Sequence, residues 1–582
     1  MVRKKKRKHG VIAELSNVEL VKAKSALKLW IYAKEHTIGE MLVGRGTLHW
    51  NGRHIMLKMK TSTLPVVWLF CLFFAYLSAP LVGEEELVKR SRPSILLAIA
   101  DDWSWPHAGA YGDQSVRTPA FDRVARAGVL FAHAFCPASQ CSPSRASLLT
   151  GRNIWQLEEA GTQASMFPDK FQVYTELLQH TGYHVGYTGK PWGPGNWTDA
   201  GRNQNPAGKE FNRRRLQPPT SQISPCDYTA NFIEFLETRP PGAPFCFWFG
   251  CSEPHRDYEE GSGLRSGKRP ESVVVPPFYP DNDVVRSDLL DYQLEIEWFD
   301  RHLDQILRQL ERRGELESTL VVVTADNGMP FPRAKATLYE AGTRVPLAIQ
   351  WPARIPKGRV VNDLVSFIDL APTFLESAGL QPLPGMTGSS LLDLLTSGAS
   401  GWVDPQREWV ALGKERHNHA RPDNVGYPSR AIRTKRHLYI HNFKPDRWPM
   451  GDPPGYFCHT KMRNPTKEFI LANQHPTAIQ PLYQITYAKR SAEELYDIHD
   501  DPNCLHNLAD NPIHAVIRDQ LRSQLFALLK AQADPRVTGF GDIFESYPYY
   551  GPMQPNLGGF KEPGRFNPAF LPPNHPAASN NP

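Results

Sequence analysis

Two stretches of this chain run through seven uncharged, mostly apolar residues and then meet acids. Ser94-Ile95-Leu96-Leu97-Ala98-Ile99-Ala100 stops at Asp101-Asp102, and Ser318-Thr319-Leu320-Val321-Val322-Val323-Thr324 leads through Ala325 into Asp326-Asn327-Gly328. A strand that is apolar at almost every position has both faces covered, which is the condition inside a parallel sheet clad by helices. The segments between fit that reading. Pro119–Gly128 reads as an amphipathic helix closed by glycine, Val173–Thr181 and Leu289–Arg312 as further helices, and Tyr183–Thr188 and Phe245–Phe249 as strands. The alternation from Arg92 to about Pro384 predicts an α/β domain with a mainly parallel sheet between helices. Ligands bind beyond the carboxyl ends of such strands, where the acidic turns stand.

Adjacent carboxylates repel and need a compensating charge. An isolated Asp-Asp could cap a helix with one residue and face water with the other. With Asp326-Asn327 ending a second strand, a site for a hard, oxygen-liganded cation explains the pattern better.

The stretch Cys141-Ser142-Pro143-Ser144-Arg145-Ala146-Ser147-Leu148-Leu149-Thr150-Gly151 puts a cysteine at a predicted helix start, where unpaired N–H groups favour anionic chemistry. A thiol before a helix is by itself unremarkable chemistry. The full pattern C-x-P-S-R-x-x-x-x-T-G resembles the signature of the type I sulfatases, whose cysteine is oxidised to formylglycine.

That resemblance implies an alkaline-phosphatase-like large domain and a divalent cation, Ca²⁺ first and Mg²⁺ second. Its ligands would be Asp101, Asp102, Asp326, Asn327 and the modified Cys141. Lys190, in Thr188-Gly189-Lys190, and Lys335 match lysines that hold the sulfate group, and His255, in Pro254-His255-Arg256, matches the histidine serving the bridging oxygen. In the family's chemistry the aldehyde hydrates to a geminal diol, and one hydroxyl, helped by the metal and Arg145, attacks sulfur. The second hydroxyl then expels sulfate, which neither serine nor thiol could do. The family's Gly-Lys-x-His pattern reads Gly189-Lys190-Pro191-Trp192 here, and tryptophan cannot abstract a proton. His107, on the Asp102 loop, is a candidate substitute.

The resemblance covers roughly Arg92 to Asn511, including Ser366–Thr373 and Glu494–Asp497. It is nearest the heparan N-sulfatase (sulfamidase) group, through Asp326–Arg333, Glu253–Arg256 and Tyr427–Ala431. It implies hydrolysis of sulfate esters or sulfamates on a sulfated carbohydrate, and a formylglycine-generating enzyme as partner. A phosphate or phosphonate monoester hydrolase of the same superfamily and a non-catalytic glycan-binding relative, the latter favoured by Trp192, are the other readings. His417, His419, Arg421 and Arg433 fall in a segment that could reach the pocket mouth and meet an anionic saccharide.

The net charge of +6 is an N-terminal property, because residues 1–58 hold 13 Lys+Arg against 4 Asp+Glu. The remainder is slightly acidic and gives no reason to expect nucleic-acid binding. Leu64–Leu77, preceded by Met59-Lys60 and followed by Ser78-Ala79 and Gly83, has the plan of a secretory signal, expected over 59–83. Residues 1–58 then read as a basic extension before a true start at Met56 or Met59, or as the cytoplasmic arm of an uncleaved anchor. A secreted or periplasmic protein is expected, lysosome-like in a eukaryote. Besides Cys71 and Cys141, six cysteines remain, an even number that permits disulfides. The expected divisions are a catalytic domain over 92–384, an α+β subdomain over 385–534 with an antiparallel sheet and a helix around Ile513–Gln532, and a Pro/Gly/aromatic tail over 535–582.

Overall fold

The computed structural model describes residues 92–455, 462–475 and 478–578, together with a short hairpin of β1 (Thr47–Trp50) and β2 (Arg53–Met56). The expected signal segment, the rest of the basic extension, Cys71 and Cys458 lie outside the described residues.

The large sheet contains β3 (Ser94–Ala100), β4 (Val129–Phe135), β5 (His184–Gly189), β6 (Lys209–Glu210), β7 (Phe245–Gly250), β8 (Thr319–Ala325), β9 (Arg344–Val345), β10 (Leu347–Gln350) and β11 (Arg359–Ser366). Its order is β11-β4-β10-β8-β3-β7-β5-β6, with β9 on β4. The centre, β8-β3-β7-β5, is parallel, and β10 is inserted antiparallel between β8 and β4. The strands β3 and β8 are thus neighbours, and every residue of both is buried. Their register decides the site: Ala100 pairs with Ala325, so Asp101 and Asp326 leave the sheet at one level, tied by Asp326 N–H donating to the Ala100 carbonyl at 3.1 Å.

The long helix is Asp283–Arg312, six residues earlier at its start than the apolar period suggests, because Asn282 caps it by accepting from Val285 N–H at 3.0 Å. Its inner face carries Leu289, Ile296, Phe299, Leu303 and Leu310, and Phe299 stacks on Phe249 of β7 with centroids 5.3 Å apart. Burying a side chain of this size contributes about 1.5–3 kcal/mol. Across the molecule β12 (Trp409–Lys414), β13 (Ser429–Thr434), β14 (His437–Asn442) and β15 (Glu493–Asp497) form an antiparallel sheet in that order. Leu521, Leu525 and Leu529 of the helix Ala515–Ala531 pack on Ile432, Tyr439 and Leu495 of this sheet.

Among the described residues no disulfide forms: Cys136, Cys226, Cys246, Cys251 and Cys504 are free and buried, as is Cys141. Cys251 Sγ donates instead to Glu253 Oε2 at 2.8 Å, and Cys136 Sγ to the Gly342 carbonyl at 3.7 Å. Among the described residues no helix is long and apolar enough to cross a membrane.

Candidate active site

Cys141 is the first residue of the helix Cys141–Thr150, all of whose residues are buried. The helix starts there because Gln140 is extended, at φ −148°, and ends because Gly151 takes φ 66°, in the left-handed region that glycine tolerates. Gln163 closes one open N–H of the first turn, its Oε1 accepting from Ser142 N–H at 2.9 Å. Ser144 Oγ donates to the Asp326 carbonyl at 2.5 Å, pinning the helix to the β8 turn.

The thiol faces the two strand ends. Cys141 Sγ lies 3.5 Å from Asp101 Oδ1 and 3.9 Å from Asp102 Oδ1. Asp102 holds φ 76°, and its N–H donates to Asp326 Oδ1 at 3.0 Å, so the second acid of the pair folds back toward β8 instead of continuing the strand. Arg145, one helical turn beyond Cys141, donates to Asp326 Oδ2 at 2.8 Å and to the Lys190 and Pro191 carbonyls at 2.8 and 2.9 Å. Lys190 reaches Asp101 Oδ2 at 2.5 Å and Lys335 reaches Asp102 Oδ2 at 2.6 Å. Glycine makes the Lys190 turn possible. Gly189 has φ +75°, and a Cβ on it would fall 1.9 Å from the Gly250 carbonyl oxygen. His255 presents Nε2 at 3.8 Å from Asp102 Oδ2, while its Nδ1–H donates to the Arg256 carbonyl at 2.5 Å and so fixes the tautomer.

Burial opposes ionisation of Asp101, but Lys190, with His255 and Arg145, more than offsets it and holds the carboxyl at about 2. Burial, then Asp101, pushes the Cys141 thiol far up, so the unmodified side chain is a protonated thiol and a poor nucleophile. Burial lowers the two lysines, yet Asp101 and Asp102 outweigh it and keep Lys190 and Lys335 charged. His255 is lowered, first by burial and then by Lys335, which leaves it neutral with a free lone pair on Nε2. These groups open into a cavity of about 770 Å³ lined by Asp101, Cys141, Lys190, Trp192, His255 and Lys335 among others.

The sulfatase family pattern matches residues 93–380, and the C-terminal pattern of the N-sulphoglucosamine sulphohydrolases matches residues 333–454. The N-sulphoglucosamine sulphohydrolase of Homo sapiens is 28% identical over 499 residues, covering 78% of this chain and 94% of that protein. The N-acetylgalactosamine-6-sulfatase of Canis lupus familiaris is 30% identical over 360 residues, 52% of this chain and 67% of that protein. The chain belongs to the sulfatase family. A solved complex of a protein with its substrate, D-glucosamine-2-N,6-O-disulfate, shares the fold at TM-score 0.54 and 19% identity, over 76% of this chain and 98% of that one.

The metal ion that this family of sulfuric ester hydrolases generally uses has a cradle here. Ligand atoms of Asp101, Asp102, Cys141 and Asp326 lie within 4.8 Å of one another. Asn327 Nδ2 donates to Asp102 Oδ1 at 2.7 Å, which orients the amide, and its Oδ1 is buried without a partner. A buried oxygen without a donor costs about 1–3 kcal/mol, and a hard cation satisfies it. The donor set fits the group.

Other expected residues fall differently. His107 does not line this cavity; its Nδ1 lies 3.0 Å from Asp113 Oδ2, and it borders a separate cavity with Trp105 and Met329. Nearness to Asp102 in sequence misleads because the loop turns away after Trp105. Of the four basic residues in the small-sheet segment only His417 lines the site cavity. His419 accepts from Gln554 N–H at 2.9 Å, Arg421 donates to the Pro449 carbonyl at 2.9 Å, and Arg433 pairs with Glu340 at 2.7 Å. Trp192 is buried and donates to the Ser142 carbonyl at 3.1 Å, so it braces the Cys141 helix. Gln163 was not foreseen; it comes from an irregular loop, and no spacing pattern in the sequence announces it.

Proposed function

We propose that this chain removes sulfate from a sulfated carbohydrate, acting on sulfate esters or sulfamates through residue 141 carried as formylglycine. The observation that carries the reading is that Cys141 lines the cavity with its Sγ among the carboxylates of Asp101, Asp102 and Asp326, the first two paired with Lys190 and Lys335. The relatives' names point to amino sugars, and the cavity is of the size that takes a small saccharide.

Formylglycine made from Cys141 would, once hydrated to its geminal diol, supply the attacking hydroxyl, and Asp101, Asp102, Asp326, Asn327 and residue 141 would hold a divalent cation, Ca²⁺ before Mg²⁺, that would supply positive charge beside it. Around residue 141 three carboxylates face Arg145, Lys190 and Lys335 in even balance, so a dication makes the site electropositive and ready for an anionic sulfate group. Lys190 and Lys335 bind sulfuryl oxygens, where charge grows as the bond to the sugar breaks. Arg145 fixes Asp326 and the Lys190 turn. His255, its Nδ1–H held by the Arg256 carbonyl, delivers a proton from Nε2 to the leaving oxygen or nitrogen; the bound anion favours its protonation.

Cys141 is 1% exposed, so a formylglycine-generating enzyme must reach it before the helix packs. The signal-like stretch supports an exported or lysosome-like destination. The test is sulfate release from defined O- and N-sulfated glucosamine saccharides by the wild type and Cys141→Ala, with folding followed by thermal melting. Hydrolysis should vanish in a folded variant; full activity in Cys141→Ala contradicts the reading.

A further inference from the structure

The cavity has acidic lining residues that the sulfate chemistry leaves unused. Glu253, Asp257 and Glu295 also line it. Two of these are engaged. Glu253 accepts from Ser224 N–H at 2.7 Å and from the Tyr228 hydroxyl at 2.8 Å, and Asp257 Oδ1 accepts from Arg463 N–H at 3.0 Å. Glu295 is different. It projects from the middle of the long helix, is 3% exposed, lines the cavity and makes no hydrogen bond with any described residue. Arg256 is close enough to act on it electrostatically but directs contacts elsewhere. Arg256 donates to Asp288 at 2.7 Å and to the Pro330 carbonyl at 2.9 Å, and lies between the rings of Tyr258 and Phe331.

Its carboxyl faces the cavity without a protein hydrogen-bond partner, a polar group on a helix face whose other inward residues are largely apolar. Helix packing alone therefore gives no reason for glutamate at 295, whereas a ligand that completes its hydrogen bonds does. Burial, then Glu253, holds the Glu295 carboxyl well above the usual carboxylate range, so it offers one O–H donor and one acceptor oxygen. That pair suits an alcohol, which also donates and accepts. A sulfate offers only acceptors and would bring its charge beside Glu253 and Glu295.

We propose that Glu295 forms a hydroxyl-recognising subsite for the sulfated ring, preferring saccharides with a free hydroxyl at the position facing it over those carrying a second sulfate there. The residue acts in binding and specificity and takes no part in bond cleavage. The inference rests on the sulfatase reading above.

The test is steady-state kinetics of the metal-loaded, formylglycine-containing enzyme on monosulfated glucosamine saccharides and their disulfated counterparts, for wild type, Glu295→Gln and Glu295→Leu. Glu295→Leu should raise KM for the monosulfated substrate about tenfold, the value of one or two buried hydrogen bonds, with kcat changed much less. Its preference for mono- over disulfated substrate should fall by a similar factor. Glu295→Gln, which keeps a donor and an acceptor, should recover most of the lost KM. An unchanged KM and preference in Glu295→Leu, or equal losses in both variants confined to kcat, would overturn the inference while leaving the sulfatase reading intact. If the wild type releases sulfate from no substrate, the proposed function falls and the subsite with it.

Discussion

Two buried charge clusters in this molecule have the same formal composition and opposite character. At the strand ends, Asp101, Asp102 and Asp326 face Arg145, Lys190 and Lys335. Beneath the small sheet, Glu415, Asp534 and Glu545 face Arg430, Arg536 and Arg447. The second cluster is saturated. Arg430 bridges Glu415 and Asp534, both at 2.7 Å, Arg536 takes the other Glu415 oxygen at 2.6 Å, and Gly426 N–H donates to Glu545 Oε2 at 2.6 Å. The first is incomplete: Asn327 Oδ1 and Arg145 Nη2 are buried without hydrogen bonds, and the cluster opens into a cavity. Buried charge alone therefore does not mark function here. Unmet hydrogen-bonding capacity beside accessible space does.

The largest expected effect separates the clusters by activity. Cys141→Ala should lower sulfate release by about 10⁴-fold or more, as loss of a nucleophile does, with little change in the melting midpoint. Arg430→Met should do the reverse. It leaves Asp534 without its bidentate partner and takes one of two cations from Glu415, which should cost about 3–5 kcal/mol in denaturant unfolding, while turnover per folded molecule holds. A smaller effect concerns the cation. Calcium at about 100 times its Kd should stabilise the wild type by about 2.7 kcal/mol, read as a rise in melting temperature. Asn327→Leu should weaken that rise, and Arg430→Lys should leave it in place.

A further effect belongs to neither cluster and serves as a control on acid sensitivity. Burial, only partly offset by Asp227, holds His302 at about 4, and its Nδ1 lies 2.9 Å from Thr229 Oγ1. Between pH 6.5 and 4 the unfolded chain binds a proton there that the folded chain does not, so stability falls as pH falls through that window. His302→Gln should flatten the decline measured by unfolding at stepped pH, without altering the calcium response.

Much of the site was legible because its geometry follows from strand ends. Two apolar runs followed by acids can pair in register, and once Ala100 stands opposite Ala325 the acids must meet. The Cys141 helix carries its own signature. What escaped was set by tertiary contact alone. β4 was not foreseen because His133 interrupts its apolar pattern, and β10 is too short, at four residues, to show a period. The start of the long helix was hidden by the polar turn Asp283–Asp288. Gln163 and Glu295 matter through the space they face, which no local pattern encodes. His107 looked close to the acids by sequence distance, yet a turn at Trp105 carries it into another cavity.

The most direct test of the account is specific activity measured against the fraction of residue 141 present as formylglycine, quantified by mass spectrometry of its peptide. Preparations made with graded amounts of formylglycine-generating enzyme would supply the range. The account predicts a straight line through the origin. Activity that stays constant as conversion falls toward zero would contradict it.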